Sequence, residues 1–243
     1  MPTTFDHRLL RTRPLGRISW AIASFMVVEG TVVGLSALPA VWLLSELIQA
    51  STAVAVRLIV LSFAALPAYA LFALVLLFAS PLASRLVGWR TPDRAEMRIT
   101  DFDWPLLDWA RYNAGIELTR SLAGWLFRAT PIWSAHLRWY GARVGRRVFV
   151  NSLHLGDYNL LDFADDVVIG ADVHLSGHTV EGGVVKTGSV RLGRGVTIGL
   201  GAVIDIDVTV AAGCQVGAMS LVPKHTHLRV PTVYAGIPAR RIA

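Results

Sequence analysis

Two histidines and a glutamate fall within one short stretch of the chain: His174, His178 and Glu181. A neutral imidazole takes a proton from an attacking amine or hydroxyl, and a nearby carboxylate supports the ring. These residue types suit general-base assistance to a nucleophile. His178 is the expected general base and Glu181 its support, with His174 as a further contact for substrate. Acids crowd just upstream, at Asp157, Asp162, Asp165, Asp166 and Asp172. A negative patch there draws a cationic amine, which makes Asp162 and Asp165 candidate substrate contacts. Aspartate also favours turns for its own sake, and the histidines also suit a purely supporting role at the surface. Both alternatives stand at this stage. His225 and His227, two apart, have no third ligand nearby, so no metal site is expected.

The frame that positions these residues is a period of six. Phe163, Ile169 and Leu175 form one run; Leu192, Ile198, Ile204, Val210, Val216 and Val222 form a second without a slip. A smaller residue sits four places after most of them: Val173 and Thr179, then Val196, Ala202, Val208, Cys214 and Ser220. Six residues make one face of a parallel β-helix, three faces to a coil. Val144 and Val150 place its beginning near Arg143, and about four coils follow. The register slips twice, between Val150 and Phe163 and between Leu175 and Leu192. The second slip predicts a loop excursion over Glu181–Ser189, beside His178. Beyond Val222, Pro223, Pro231 and Pro238 are expected to end the strands. Such a prism has no internal cavity, so its chemistry lies on the outside, in a cleft completed by neighbouring copies. A homotrimer is the expected assembly.

The 243 residues are 53% hydrophobic and only 16% charged, with a net charge of +6. The apolar excess lies before Gly88. Ile18 to Leu44 and Leu58 to Ala79 are each long enough to cross the roughly 30 Å of a bilayer core. Arg8, Arg11, Arg13 and Arg17 precede the first, and Arg85, Arg90 and Arg94 follow the second. The segment Ser45–Thr52 between them has no lysine or arginine. Positive flanks stay inside, so both termini and the coils are expected in the cytoplasm, at the inner membrane. Glu29, inside the first span, reads as a packing residue or as a functional intramembrane acid. The arginines suit anionic lipid, and no motif for nucleic acid accompanies them. The single cysteine, Cys214, occupies a small interior hexad position. Three parts are thus expected: residues 1–90 as a two-helix membrane domain, 91–142 as a Trp-rich amphipathic connector that lies in the interface, packs on the end of the coils, or does both, and 143–243 as the coils and tail.

The order of parts, together with Trp139-Tyr140-Gly141-Ala142-Arg143-Val144-Gly145, then Leu175-Ser176-Gly177-His178-Thr179-Val180-Glu181-Gly182-Gly183-Val184-Val185-Lys186 and Val190-Arg191-Leu192-Gly193, is familiar. It resembles the membrane-plus-β-helix units at the C-terminus of ε-poly-lysine synthetase-like nonribosomal peptide synthetases. The ending Tyr234-Ala235-Gly236-Ile237-Pro238-Ala239-Arg240 is similar to the close of hexapeptide-repeat acyltransferases. The resemblance implies a left-handed β-helix and a condensation-type reaction: an amine attacks an aminoacyl thioester on phosphopantetheine and an amide forms. It assigns His178 and Glu181 to catalysis and Lys186 to substrate. The family's His-x-x-Glu-Asp-Arg loop has Gly182 and Gly183 here in place of Asp-Arg. With one unit and no adenylation or carrier domain in this stretch, the activated acyl group is expected from a separate adenylation and carrier protein. No bound cofactor is expected. A coenzyme A-dependent acetyltransferase acting on a small amine or sugar, and a non-catalytic trimeric scaffold, remain the alternatives.

Overall fold

The computed structural model describes residues 7–50 and 53–242, and of 7–14 only the backbone. Ser51 and Thr52, in the expected outer loop, and Asp6 lie outside the described residues. α1 (His7–Gln49) and α2 (Val54–Val87) are antiparallel helices, each long and apolar enough to cross a membrane. Both outrun the expected apolar spans. Ser45–Gln49 continues α1, because Glu46 and Gln49 are good helix formers and nothing there breaks the helix.

Pro81 inside α2 has no N–H to give the carbonyl of Leu77, one turn earlier. Nδ1–H of His136 donates to that orphaned carbonyl at 2.6 Å. His136 is fully buried, with its ring stacked on Trp133, and Nε2 has no partner among the described residues. Burial drives its pKa down from 6.5 to about 4, partly opposed by the Leu77 bond. On acidification the unfolded chain therefore binds a proton that the folded chain refuses. Stability is expected to fall as pH drops from 6.5 towards 4, by about 3 kcal/mol for this group. Unfolding measured in detergent across that range should show the loss in the wild type and a smaller one in His136→Gln.

After α2 come β1 (Glu96–Arg98), α3 (Trp104–Thr119), a π turn (Arg120–Gly124), the single turn α4 (Trp125–Phe127) and α5 (Pro131–Trp139). These helices pack between the α1–α2 pair and the coils. Tyr112, Ile116 and Trp133 are buried there, and Trp133 Nε1 donates to the Ser152 carbonyl at 3.2 Å. Trp104, Trp125 and Trp139 remain exposed.

The coils begin with β2 (Arg143–Val144), β3 (Phe149–Val150), β4 (Leu161–Phe163), β5 (Val168–Ile169) and β6 (His174–Leu175). β7 (His178–Glu181) and β8 (Val184–Thr187) form a hairpin. The coil resumes with β9 (Val190–Leu192), β10 (Thr197–Ile198), β11 (Val203–Ile204), β12 (Thr209–Val210), β13 (Gln215–Val216) and β14 (Leu221–Val222). It ends with β15 (His227–Leu228), β16 (Val233–Ala235) and β17 (Arg240–Arg241). The chain passes in turn through three parallel sheets, β2-β4-β9-β12-β15, β3-β5-β10-β13-β16 and β6-β11-β14. Arg191 faces Thr209, Thr197 faces Gln215 and Val203 faces Leu221, one eighteen-residue coil apart. All nine apolar side chains of the hexad runs, Phe163 and eight aliphatics, are buried, each worth about 1.5–3 kcal/mol against an exposed position.

The expectation that Pro223, Pro231 and Pro238 stop the strands is corrected. β15 and β16 extend the parallel sheets, with Leu228 and Tyr234 buried on the same register of six. Pro223 and Pro231 lie at corners, outside any strand, where no ladder N–H is required. β17 then folds back antiparallel on β16 and covers the end.

Both slips in the hexad register are insertions at corners. In the first, Leu155 keeps its place as a single bridge to Leu175, and the short 3-10 turn Tyr158–Leu160 is added. In the second, the expected loop is an ordered hairpin that begins three residues earlier, at His178. Gly182 and Gly183, both at positive φ, make its two-residue turn. β1 from the connector pairs with β8 and completes a three-stranded antiparallel sheet. Thr179 belongs to this hairpin and so leaves the interior series.

Candidate active site

The two insertions meet. Asp157, in the first, accepts a hydrogen bond from His178, in the second, with Nδ1 to Oδ2 at 2.5 Å. Asp157 is completely buried. Its Oδ1 accepts from Thr91 Oγ1 at 2.6 Å, Asn113 Nδ2 at 2.9 Å and Trp109 Nε1 at 3.1 Å; its Oδ2 also accepts from Ser176 Oγ at 3.1 Å. Five donors on one buried carboxylate fix its charge and its orientation. Gly177 is what allows the approach. A Cβ there would lie 2.8 Å from the Asp157 Cβ and 2.9 Å from Leu160 Cδ1.

Burial alone would push the Asp157 carboxyl up. The bond and charge of His178, with Thr91 and Asn113, bring it below the usual carboxylate range instead. Burial likewise pulls His178 down, and the hydrogen bond and charge of Asp157 more than offset it, so its pKa is raised. A carboxylate can only accept, so the neutral imidazole carries its proton on Nδ1. Nε2 is left as the basic nitrogen. The side chain of His178 is 28% exposed, and its ring stands edge-on to Trp109 at 5.0 Å. The ring is thus held on one side and open on the other, the arrangement of an oriented general base.

The other expected residues lie elsewhere. Glu181, expected to support His178, pairs with Lys224 and, at 3.7 Å, with Lys186. Three places along a strand put Glu181 and His178 on opposite faces of the hairpin, so the supporting carboxylate is Asp157. Lys186 also reaches Glu96 at 3.8 Å, tying the hairpin to β1. His174 stacks on His154 at 4.6 Å, and its pKa is lowered by burial and by the charge of His154. Asp162 pairs with Arg143 at 3.4 Å, and both line a cleft of about 650 Å³ with Arg90 and Arg191. Asp165 accepts from the Arg146 amide at 2.8 Å and faces Arg194.

Thr91, Trp109, Asn113 and Ser176 were not candidates from sequence. Trp109 and Asn113 both belong to α3. They stand one turn apart and converge on Asp157. The signal available was the first slip in register, since Asp157 was one of several acids near it.

No family model matches the chain. It is similar to a Delta-poly-L-ornithine synthetase of Acinetobacter baumannii (strain AB307-0294), with 26% identity over 144 residues. The match covers 59% of this chain and 10% of the synthetase. Among solved structures, a galactoside acetyltransferase in complex with coenzyme A gives a TM-score of 0.42 at 21% identity, over 60% of this chain and 90% of its own. A hexapeptide-repeat acetyltransferase of Vibrio cholerae, complexed with acetyl coenzyme A, gives 0.40 at 18% identity, over 55% and 83%. The chain is therefore similar to one stretch of a poly-ornithine synthetase, in keeping with the resemblance that its motifs carry.

Proposed function

We propose that this chain is a membrane-bound acyltransferase that joins an amine to a thioester-activated acyl group, with His178 as general base and Asp157 as the residue that orients it. The observation that carries this reading is the buried Asp157 clamped to the outward-facing His178. In the reaction, the amine nitrogen attacks the thioester carbonyl carbon and passes its proton to Nε2 of His178. The tetrahedral intermediate collapses, the C–S bond breaks, and the thiolate takes the proton back from the imidazolium. The products are an amide and a free thiol. The donor is an aminoacyl group on the phosphopantetheine of a separate adenylation and carrier protein, in keeping with the likeness to the synthetase. Acyl coenzyme A is the second reading, since the same arm and thiol carry its acyl group. Purified protein incubated with amines and either a loaded carrier or acetyl coenzyme A tests both, with amide and thiol release as the readout. Failure of both donors would reject the assignment.

In this reading the coils form a left-handed β-helix, three copies assemble so that neighbouring prisms enclose the donor arm, and α1 and α2 anchor each copy in the inner membrane. Residues 91–142 lie along the interface, where the exposed Trp104, Trp125 and Trp139 suit lipid head groups. The arginine asymmetry supports a cytoplasmic position for the coils. In intact cells, an impermeant thiol reagent is expected to label Ala53→Cys and to spare Arg194→Cys. The native Cys214 is buried and gives no background. Labelling of Arg194→Cys alone would reverse the orientation.

A further inference from the structure

The chain leaves α2 at Gly88, whose φ of 78° ends the helix, and then turns back along the coils. The Thr91 amide donates to Asn159 Oδ1 at 3.3 Å, and the Thr91 carbonyl accepts from Asn159 Nδ2 at 2.8 Å. Thr187 Oγ1 donates to the Pro92 carbonyl at 2.6 Å. Pinned in this way, the segment is one wall of the cleft of about 650 Å³ that holds Arg90, Arg143, Asp162 and Arg191. The first turns of α3, with Pro105 and Asp108, make another. On the third side Arg143, Asp162 and Arg191 stand on neighbouring strands β2, β4 and β9 in one register. Strands lie about 4.8 Å apart, so these three side chains share a small area. The size is in the range that holds a small ligand.

Charge decides what the cleft accepts. Arg143 is paired with Asp162 at 3.4 Å, and Asp108 with Arg111. The side chains of Arg90 and Arg191 have no partner among the described residues, and neither has that of Asp93, on the same wall. Two open arginines against one open aspartate leave a single positive charge. A phosphodiester brings a single negative charge, with oxygens for both guanidinium groups. A phosphomonoester brings roughly two at neutral pH and overshoots.

Position decides which phosphodiester. Gly88 and Arg90 line the cleft and directly follow the long apolar helix α2. Leu82 and Leu86, one turn apart at the end of that helix, are exposed, as is Val87. With α2 in a membrane, apolar surface leads into an arginine-lined cleft at head-group depth, the place where basic pockets hold lipid head groups. A soluble phosphodiester would meet the arginines and leave the leucines bare. A phospholipid covers both.

We infer that this cleft binds the head group of an anionic glycerophospholipid of the phosphatidylglycerol kind. The phosphate lies between Arg90 and Arg191, the head-group hydroxyls face Asp93, and the acyl chains run along Leu82 and Leu86. From the proposed function the inference takes only the membrane placement of α2; it assigns a binding site and no step of acyl transfer.

The test is equilibrium binding to the full chain in a non-ionic detergent. The probes are short-chain phosphatidylglycerol, short-chain phosphatidylcholine, and glycerophosphoglycerol, the head group without its chains. The wild type is expected to bind phosphatidylglycerol at least tenfold more tightly than either of the others. Arg90→Gln and Arg191→Gln each remove a charged donor and should weaken that binding about tenfold. Neither side chain is paired in the fold, so the thermal midpoint should stay in place. Arg229→Gln, at an exposed arginine outside the cleft, should bind as the wild type does. Equal binding of the two lipids, unchanged binding in both cleft variants, or an equal loss in Arg229→Gln would overturn the inference. Equal binding of glycerophosphoglycerol would also overturn it and reassign the cleft to a soluble phosphodiester. Binding is read without turnover, so failure of the lipid site and failure of the acyltransferase reading give different results.

Discussion

Amide formation by His178→Ala is expected to be roughly 10²–10⁴-fold slower than by the wild type, with assembly and thermal midpoint little changed. The ring sits at the start of a hairpin on the outside of the coils, and no part of the hexad core rests on it. The fold therefore tolerates its loss, but the chemistry does not. An acceptor amine is mostly protonated at neutral pH, and attack requires a base that receives a proton in the ordinary range. Because the His178 pKa is raised by Asp157, the neutral base accumulates only above 6.5. The rate should climb with pH through that raised value, and further as the amine itself loses its proton. Near-normal turnover in an intact His178→Ala protein would place the chemistry on another residue.

The second large effect is expected at Asp157. Asp157→Asn keeps the size and removes the charge, and its amide can present a donor where His178 Nδ1–H requires an acceptor. The imidazole then changes tautomer and puts its proton on Nε2, where the base must be free. Comparable carboxylates in histidine-based systems are worth on the order of 10⁴ in turnover. The pH profile separates this role from a merely structural one. Both influences that raise the His178 pKa come from Asp157, while the burial that lowers it stays. The rising limb of the residual activity should therefore move to lower pH. An unmoved limb with lost activity would assign Asp157 to folding alone. Glu181→Gln, in contrast, removes ion pairs with Lys224 and Lys186 at a half-exposed site and should leave the limb in place.

Most of the coil is legible in the residues themselves, since a buried aliphatic every sixth place leaves few alternatives. The site is less so. Its histidine stood out because an ionisable residue beside a broken repeat is conspicuous. Its carboxylate did not, because Asp157 shares a crowded stretch with Asp162, Asp165 and Asp166, and local spacing does not reveal which corner meets which. Asp157 and His178 are one coil and three residues apart, a separation set by how two insertions stack. The prolines misled for a related reason. Proline forbids a ladder bond, and a β-strand of two residues with long corners offers many positions where no such bond is made. The connector was harder still, since Trp109 and Asn113 reveal their shared purpose only once a partner from the coils stands opposite them.

Three of the five donors on Asp157 come from Thr91, Trp109 and Asn113, outside the coils altogether. The Asp157–His178 pair is thus not the property of the repeat module that displays it. A graft of residues 143–243 onto a foreign anchor would carry His178 and Asp157 together. It would leave the acid's Oδ1 stripped of its protein donors and open to water, and the imidazole less firmly held. The inheritable unit is therefore the coil with the segment that precedes it. Any recombination between such proteins that cuts near Arg143 should yield well-formed but sluggish hybrids, whereas a cut ahead of Thr91 keeps the base and its support in one piece.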